Sequence, residues 1–324
     1  MLWKKCFYKE GTHKMQIISG QTSFKLEQPS AVAIGKFDGL HKGHRELLEE
    51  ILEAKKQNLL AAVFTFDPSP TVFFSGKAMK VLTTAEEKRL FFEKLGVDVL
   101  VEFPLNYTTA AISPEEFIEK ILHENMQARL IVAGTDLSFG DKGRGNCALL
   151  KEKAAAFGYE VKIIEKLCRN EIPISSTRVR EAVERGDMPE AAQLLGTPYK
   201  ILGTVVHGRR IGHQIGFPTV NLMPAPDKLL PPKGVYLAQL ECQEGMFYGL
   251  TNVGVKPTVE TGANPPMSVE TYLYDFDADI YDHFVTLRLL KFIRPEQKFE
   301  GLDALKAQLE KDIAAGRKLL NGAK

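Results

Sequence analysis

The sequence predicts an α/β doubly wound domain followed by a small antiparallel β-barrel with a C-terminal helix. Three observations lead to this prediction. In the first half of the chain, short apolar runs alternate with amphipathic stretches, which is typical of a parallel sheet with crossover helices. After about residue 195, glycine and proline become frequent and the apolar runs become short and alternating, which favours antiparallel strands. One amphipathic stretch, beginning at Leu302, closes the chain.

In the first half, five apolar runs predict the strands of the parallel sheet. They are residues 31–35, 59–66, 97–103, 128–134 and 159–167. The stretches between them predict helices, because their apolar residues recur at three- and four-residue intervals. These helices cover residues 44–57, 84–95, 114–124 and 148–157, and two more follow at 177–184 and 189–195.

In the second half, five alternating runs separated by turn residues predict the strands of the barrel. They are residues 201–208, 234–242, 246–254, 268–276 and 284–292. The last helix is expected to run from Leu302 to Leu309 and beyond. We therefore expect two domains, residues 1–186 and 187–324, with residues 1–14 as a loose extension.

Composition excludes several classes of protein. A chain of 324 residues that is 44% hydrophobic can bury a core in each of two domains. Lys and Arg number 42 against 41 Asp and Glu, so no overall positive field would attract nucleic acid or an anionic membrane. The four cysteines show no metal-binding or disulfide spacing, and no apolar run could span a bilayer. We expect a cytoplasmic monomer or weak homo-oligomer without nucleic-acid or membrane partners.

The segment GKFDGLHKGHRELLEEI, residues 35–51, predicts a phosphate site. A strand ends at Gly35 and a helix begins near His44, so backbone N–H groups lie at the carboxyl end of the sheet, where α/β folds bind ligands. His41 and His44 flank Gly43 and could both face one phosphate, which suits nucleotidyl transfer. The alternative is that the two histidines are helix caps or surface residues.

The segment IPISSTRVREAVERGD, residues 172–187, predicts a second set of phosphate contacts. Residues 175–177 offer three hydroxyls and the free amides of a helix start. Arg178 and Arg180 could add charge-assisted contacts to a triphosphate. Taken alone, the segment could equally be an ordinary capped helix with a solvated basic face.

The segment GTVVHGRRIGHQIGFPTVN, residues 203–221, predicts a flexible loop over phosphates, or alternatively a glycine-rich β-hairpin. Its glycines Gly208, Gly212 and Gly216 are four apart, and each glycine inside a helix costs about 1 kcal/mol. Thr219 and Asn221 are two apart, so on a strand their oxygens share a face. Such oxygens are suitable ligands for Mg²⁺ bound together with ATP phosphates.

These motifs resemble a known family. IGKFDGLHKGH (34–44), TFDPSP (65–70), VAGTDLSFG (132–140) and ISSTRVR (174–180) are similar to segments of the HxGH nucleotidyltransferase superfamily, and in particular of prokaryotic bifunctional riboflavin kinase/FMN adenylyltransferases. The resemblance implies an ATP site lined by Gly35, Phe37, Asp38, His41 and His44. It implies phosphate contacts from Ser176, Thr177 and Arg180. It places near FMN the residues Phe66, Asp67, Pro68, Asp136 and Phe139.

The second half resembles the riboflavin kinase part of the same family. The glycine-spaced segment matches, as do NVGVKPT (252–258), VETYLYDFDADIY (269–281) and LLKFIRPEQKF (289–299). Taken alone, a single glutamate on a strand is ordinarily only solvated. The resemblance implies instead that Glu270 orients the riboflavin hydroxyl and accepts its proton. It implies ATP and Mg²⁺ at the glycine loop, Thr219 and Asn221, and flavin contacts from Arg294 and Phe299.

The expected function is therefore Mg²⁺-ATP-dependent phosphorylation of riboflavin to FMN, followed by adenylylation of FMN to FAD. Four residues depart from the family pattern. Ser69 replaces a histidine, Lys256 replaces an arginine and Asp282 replaces a glycine, and at position 137 this chain has a leucine where the family has a residue of another chemical class. The departures at Ser69 and Leu137 leave open a riboflavin kinase with a degenerate adenylyltransferase domain. A class I aminoacyl-tRNA synthetase, which shares HxGH, and a non-catalytic flavin-binding regulator are two further alternatives.

Overall fold

The structure is a computed structural model, which describes residues 14–76, 79–208, 216–255 and 267–322. Packing divides the chain into two units. The first consists of the described residues of Met1–Met79 together with Ala85–Cys168, and the second consists of Lys80–Thr84 together with the described residues of Arg169–Lys324. Among the described residues, no helix is both long and apolar enough to cross a membrane.

The first unit contains a six-stranded parallel sheet. Its strands are β1 Gln16–Ser19, β2 Ser30–Ile34, β3 Leu60–Asp67, β4 Val99–Pro104, β5 Ala128–Gly134 and β6 Glu160–Ile164, in the spatial order β1-β4-β3-β2-β5-β6. From β2 the chain runs outward through β3 and β4, and it then returns to β5 on the other side of β2. This reversal confirms the predicted doubly wound topology.

Helices cover both faces of this sheet. They are α1 Lys42–Glu53, α2 Pro70–Ser75, α3 Ala85–Leu95, α4 Tyr107–Ala110, α5 Pro114–Glu116, which continues as a π-helix over Phe117–Asn125, and α6 Cys147–Phe157. Alternate residues of β2 enter opposite core clusters, since successive side chains of a strand face opposite sides. Val32 packs with the π-helix, whereas Ala33 packs with α1.

The second unit contains a closed antiparallel barrel. Its strands are β9 Tyr199–Val206, β10 Thr219–Leu222, β11 Gly234–Cys242, β12 Gly245–Val255, β13 Met267–Leu273 and β14 Phe284–Pro295, in the spatial order β10-β13-β12-β11-β14-β9. A two-stranded sheet and two helices precede the barrel in the chain: β7 Cys168–Arg169, β8 Ile172–Pro173, α7 Ser176–Glu184 and α8 Met188–Leu195. One helix, α9 Leu302–Asn321, follows the barrel. The barrel and its C-terminal helix are confirmed.

The barrel has a buried interior and an outer face partly covered by α9. Inside, the hydroxyls of Thr251 and Thr271 are fully buried and hydrogen-bond to each other at 2.9 Å. Outside, α9 packs through Ile313 and Leu320 against a cluster that contains Leu250 and Tyr274. The helix therefore contributes apolar burial that the small barrel could not supply alone.

The division by packing falls after Cys168, earlier than the predicted domain boundary after residue 186. The reason is that α7 packs against α8, and α8 packs against β9 and β14 of the barrel. The boundary after residue 186 that the sequence predicts between the two domains therefore stays a prediction.

Candidate functional site

The loop after β2 has an unusual backbone. Phe37 has a φ of 51° and Leu40 a φ of 46°, in the left-handed region that bulky residues avoid at a cost of about 1–3 kcal/mol each. The Phe37 ring is fully buried and meets Phe92 edge-on at 5.4 Å. A side chain at Gly35 would approach that ring to 3.1 Å. Burial of the Phe37 ring therefore holds the loop in place, and Phe37 and Gly35 have a packing role whatever they contact in a complex.

The two histidines of the motif stand face to face at the start of α1. His41 is the N-cap residue, and its Nδ1 accepts a hydrogen bond from the backbone N–H of His44 at 3.4 Å. The two rings are stacked, with centroids 3.7 Å apart and an interplanar angle of 17°. The capping role proposed as an alternative is thus real for His41, but capping leaves Nε2 of that ring available for a ligand.

Both imidazoles are held in the neutral form. Burial lowers the pKa of His41 to about 4, although the negative charge of Asp136 acts in the opposite direction. Burial also lowers the pKa of His44 well below its ordinary value, and the neighbouring His41 adds to this effect. Because Nδ1 of neutral His41 accepts a hydrogen bond, its proton lies on Nε2, which makes Nε2 a donor. Among the described residues, the buried Nδ1 of His44 has no hydrogen-bond partner.

The sheet topology places this loop at a crevice that suits a ligand. β2 and β5 are neighbours at the point where the strand order reverses, which is where open α/β sheets bind ligands. The loop with the two histidines follows β2, and Asp136 follows β5. The Asp136 carboxylate is exposed and pairs with the Lys166 ammonium at 2.8 Å. Asp38, from the same motif, is half-buried.

The residues expected near FMN fall into two groups. Asp67 and Pro68 are exposed at the carboxyl end of β3, where a ligand could reach them. Phe66 and Phe139 instead pack with Phe117, at ring distances of 6.4 and 5.2 Å. Phe139 is 3% exposed. The structure gives Phe139 a core role, and its predicted flavin contact stays a prediction.

Helix α7 carries the second motif, and it lies in the second unit. The Ser175 hydroxyl caps the helix by accepting from the Arg178 N–H. The Arg178 guanidinium pairs with Glu190 at 3.2 Å and also donates to the carbonyl of Ile172. Arg178 is therefore engaged within the protein. The remaining residues are Ser176 and the exposed Thr177 in the first turn, and Arg180, whose guanidinium donates to the Lys80 carbonyl at 2.8 Å.

In the barrel, Glu270 lies on the outer face, in register with two amide side chains. Asn221 of β10 and Asn252 of β12 are its direct partners on the neighbouring strands. Directly paired residues have Cβ atoms about 4.5–5.5 Å apart, so one carboxylate lies between two amides. Its neighbours along the strand, Val269 and Thr271, are fully buried. Asn252 was not among the predicted site residues, although it belongs to the NVGVKPT segment.

Thr219 and Asn221 both belong to β10, so their side chains share the face of Glu270. Gly208 lies against Asn221: a Cβ there would be 2.5 Å from the amide nitrogen. The Asn221 amide nitrogen donates to the Thr219 carbonyl at 3.3 Å, which directs its oxygen elsewhere. One hydroxyl and one amide oxygen fit Mg²⁺ that keeps waters and phosphate ligands.

Two further observations concern the same loop. Gly216 has a φ of 84°, which favours glycine, and Gly212 lies outside the described residues. Among the described residues, no cluster of three or more His, Cys, Asp or Glu could hold a metal. A metal at Thr219 and Asn221 would therefore depend on phosphate oxygens and water molecules for the rest of its coordination.

Arg294 connects β14 to α9. Its guanidinium makes three contacts of 2.7 to 3.0 Å with the buried Asp312 carboxylate, which also accepts from Gln308. The guanidinium lies 5.9 Å from the centre of the half-buried Phe299 ring. Arg294 thus anchors the terminal helix, and its predicted contact with the flavin, like that of Phe299, stays a prediction.

Three of the four departures have a structural explanation. Ser69 is the N-cap of α2, where its hydroxyl accepts from the Val72 N–H. Leu137 packs against the core of the first unit. Asp282 has a φ of 63°, which explains why glycine suits that position, since aspartate adopts this conformation at only moderate cost. Lys256 lies outside the described residues.

Comparisons with known proteins agree with this arrangement. Residues 23–178 match the family model described as FAD synthetase, and residues 195–320 match the model described as riboflavin kinase. Bifunctional riboflavin kinase/FMN adenylyltransferase of Haemophilus influenzae is 36% identical over 95% of this chain and 100% of the relative. That of Listeria monocytogenes is 38% identical over 87% of this chain and 89% of the relative.

A crystal structure from Streptococcus pneumoniae also has the same fold. It is named as a macrolide-efflux protein, and it is 31% identical, with a TM-score of 0.79 over 94% of this chain and 98% of that chain. The likeness therefore extends through both units.

Proposed function

The chain belongs to the family of bifunctional riboflavin kinase/FMN adenylyltransferases, and we therefore propose that it makes FAD in two steps. It phosphorylates riboflavin to FMN in the barrel and then transfers AMP from ATP to FMN in the nucleotidyltransferase domain. The proposal rests on one observation: a single chain presents two separate sets of groups suited to phosphate chemistry. One set is the stacked pair of His41 and His44, and the other is the row of Asn221, Glu270 and Asn252 on neighbouring strands.

In the barrel, Glu270 orients the 5′-hydroxyl of riboflavin and accepts its proton. The hydroxyl oxygen forms a bond to the γ-phosphorus of ATP, the bond to the bridging oxygen breaks, and ADP leaves. Thr219 and Asn221 would hold Mg²⁺, which neutralises charge on the phosphate oxygens when bound. The row of amides beside Glu270 supports this role, because Asn221 and Asn252 can orient the carboxylate.

In the second step, a phosphate oxygen of FMN forms a bond to the α-phosphorus of ATP, and pyrophosphate leaves. The neutral His41 donates from Nε2 to a phosphate oxygen, and His44 contributes in the same way from its own ring. Donors that the fold holds in fixed positions stabilise the charge that develops on these oxygens. Ser176, Thr177 and Arg180 would add contacts to the phosphates of ATP, and Asp67 and Asp136 would lie near FMN.

Separate measurement of the two reactions tests the proposal. Glu270→Gln should lower riboflavin phosphorylation by about 10²–10⁴-fold, while conversion of supplied FMN to FAD stays within about twofold. His44→Ala should have the reverse effect. Both assays contain Mg²⁺ and ATP, and the products are separated by chromatography. If the wild-type protein converts riboflavin to FMN but makes no FAD from FMN, the chain is a riboflavin kinase alone, and the bifunctional proposal is wrong.

The remaining expectations follow from this function. Both reactions use ATP, which supports the expected cytoplasmic location. Both substrates are small molecules, and the residues proposed for each reaction come from one chain, which supports the expected monomer or weak homo-oligomer without nucleic-acid or membrane partners.

A further inference from the structure

A short segment from the first half of the chain is built into the second unit. Residues Lys80–Thr84 lie within the FAD synthetase match, yet they pack with the second unit. Val81 forms a parallel β-bridge with Lys228. In this bridge the Val81 N–H donates to the Asp227 backbone carbonyl at 2.7 Å, and the Leu229 N–H donates to the Val81 backbone carbonyl at 2.8 Å. Leu82 is 1% exposed. A single parallel β-bridge therefore ties the segment to residues 227–229.

Two buried polar side chains hold the segment from the side of the riboflavin kinase match. The Lys228 ammonium, 4% exposed, donates to the Leu82 carbonyl at 2.7 Å and lies 4.5 Å from the centre of the Tyr199 ring. The Tyr199 hydroxyl reaches the carbonyls of Leu82 and Leu229 at 3.1 and 2.7 Å. Burying an ammonium is costly unless such partners are present, so this arrangement fixes the backbone of the segment closely.

The segment in turn holds a residue of the adenylyltransferase motif. The Arg180 guanidinium donates to the Lys80 carbonyl at 2.8 Å, and the Lys80 ammonium contacts the Pro226 carbonyl. Arg180 is a long side chain, and a fixed carbonyl acceptor restricts its rotamers. A guanidinium that is already oriented loses less entropy when it binds phosphate.

We propose that Lys228 is a positioning residue for FMN adenylylation, and that it acts through residues 80–84 on Arg180. A side chain from the riboflavin kinase half of the sequence would thereby be needed for the reaction of the other half. The inference rests on the proposed function, because it assumes that Arg180 binds ATP phosphates. It assigns Lys228 no part in riboflavin phosphorylation.

The test is a double-mutant cycle on the full chain with Lys228→Met and Arg180→Ala. Lys228→Met should lower kcat/KM for ATP in FMN adenylylation by about tenfold, with riboflavin phosphorylation within about twofold of wild type. In the Arg180→Ala background, Lys228→Met should change adenylylation less than twofold, since residues acting through one another are not additive. The exposed Lys233→Met is the matched control and should leave both reactions unchanged.

Three outcomes would overturn the inference: no effect of Lys228→Met on adenylylation, equal losses in both reactions, or fully additive losses in the cycle. Tyr199→Phe, which removes only the hydroxyl contacts, covers the case in which Lys228→Met does not fold, and it should lower adenylylation selectively. If wild type forms no FAD from FMN and ATP, the proposed function fails instead, and this outcome is recognised before any variant is measured.

Discussion

Replacing Arg294 by alanine should destabilise the second unit by about 3 kcal/mol. Asp312 is 3% exposed, and its carboxylate receives three contacts from the Arg294 guanidinium. Removing one partner of a buried ion pair costs about 3–5 kcal/mol, because the other charge stays buried without compensation. We expect the lower end of this range, since Gln308 still donates to Asp312 at 2.8 Å.

The measurement is urea unfolding followed by circular dichroism, with calorimetry to separate the transitions of the two units. The matched control is Arg317→Ala: Arg317 lies on α9, as Asp312 does, but its partner Asp275 is exposed. The control should cost much less, because exposed pairs contribute little. If Arg294→Ala and Arg317→Ala have equal effects on unfolding, the anchoring argument is wrong. A raised KM for riboflavin with unchanged stability would instead favour a direct flavin contact.

Two more predictions follow from the site geometry. The pKa of His41 in the folded chain is about 4, below the ordinary value of 6.5. Between these two pH values the unfolded chain binds a proton that the folded chain does not. The free energy of unfolding should therefore fall as the pH drops from 6.5 to 4. His41→Asn keeps a good N-cap residue and should make the free energy of unfolding depend less steeply on pH, measured by unfolding at several pH values. An unchanged pH dependence would refute the pKa assignment. Gly208→Ala should displace the Asn221 amide and lower riboflavin phosphorylation by at least about tenfold, whereas Gly203→Ala, where the nearest atom is 3.6 Å away, should have little effect. Equal kinase activity in the two glycine variants would contradict the proposed role of Asn221.

The periodicity of the sequence predicted the regular elements well because most of them have one buried face. Strand β2 reads as an unbroken apolar run, since a central parallel strand is buried on both faces. The elements that periodicity missed are short or lie at the edge of a sheet. β1 has one buried residue in four, and α2 has no buried residue. Neither leaves a repeating apolar pattern to detect.

The motif residues were found from the sequence, but their contacts were not. Arg178 and Arg180 are equivalent in the sequence, yet the structure pairs Arg178 with Glu190 and directs Arg180 to the Lys80 carbonyl. Phe139 is 3% exposed and packs in the core, which its motif did not indicate, and its flavin contact stays a prediction. In each case the partner is distant in the chain or belongs to another element, and such a contact has no local signature.

The fold class, the family and the two sets of residues proposed to contact phosphates could all be predicted from the sequence, because these predictions depend on local periodicity and on fixed spacings within short segments. Three properties became visible only in the folded chain: the neutral state of His41, the position of Glu270 between Asn221 and Asn252, and the hydrogen bond from Lys228 to residues 80–84. These properties depend on burial and on pairing between residues that the fold brings together, and neither is encoded at any single position of the chain.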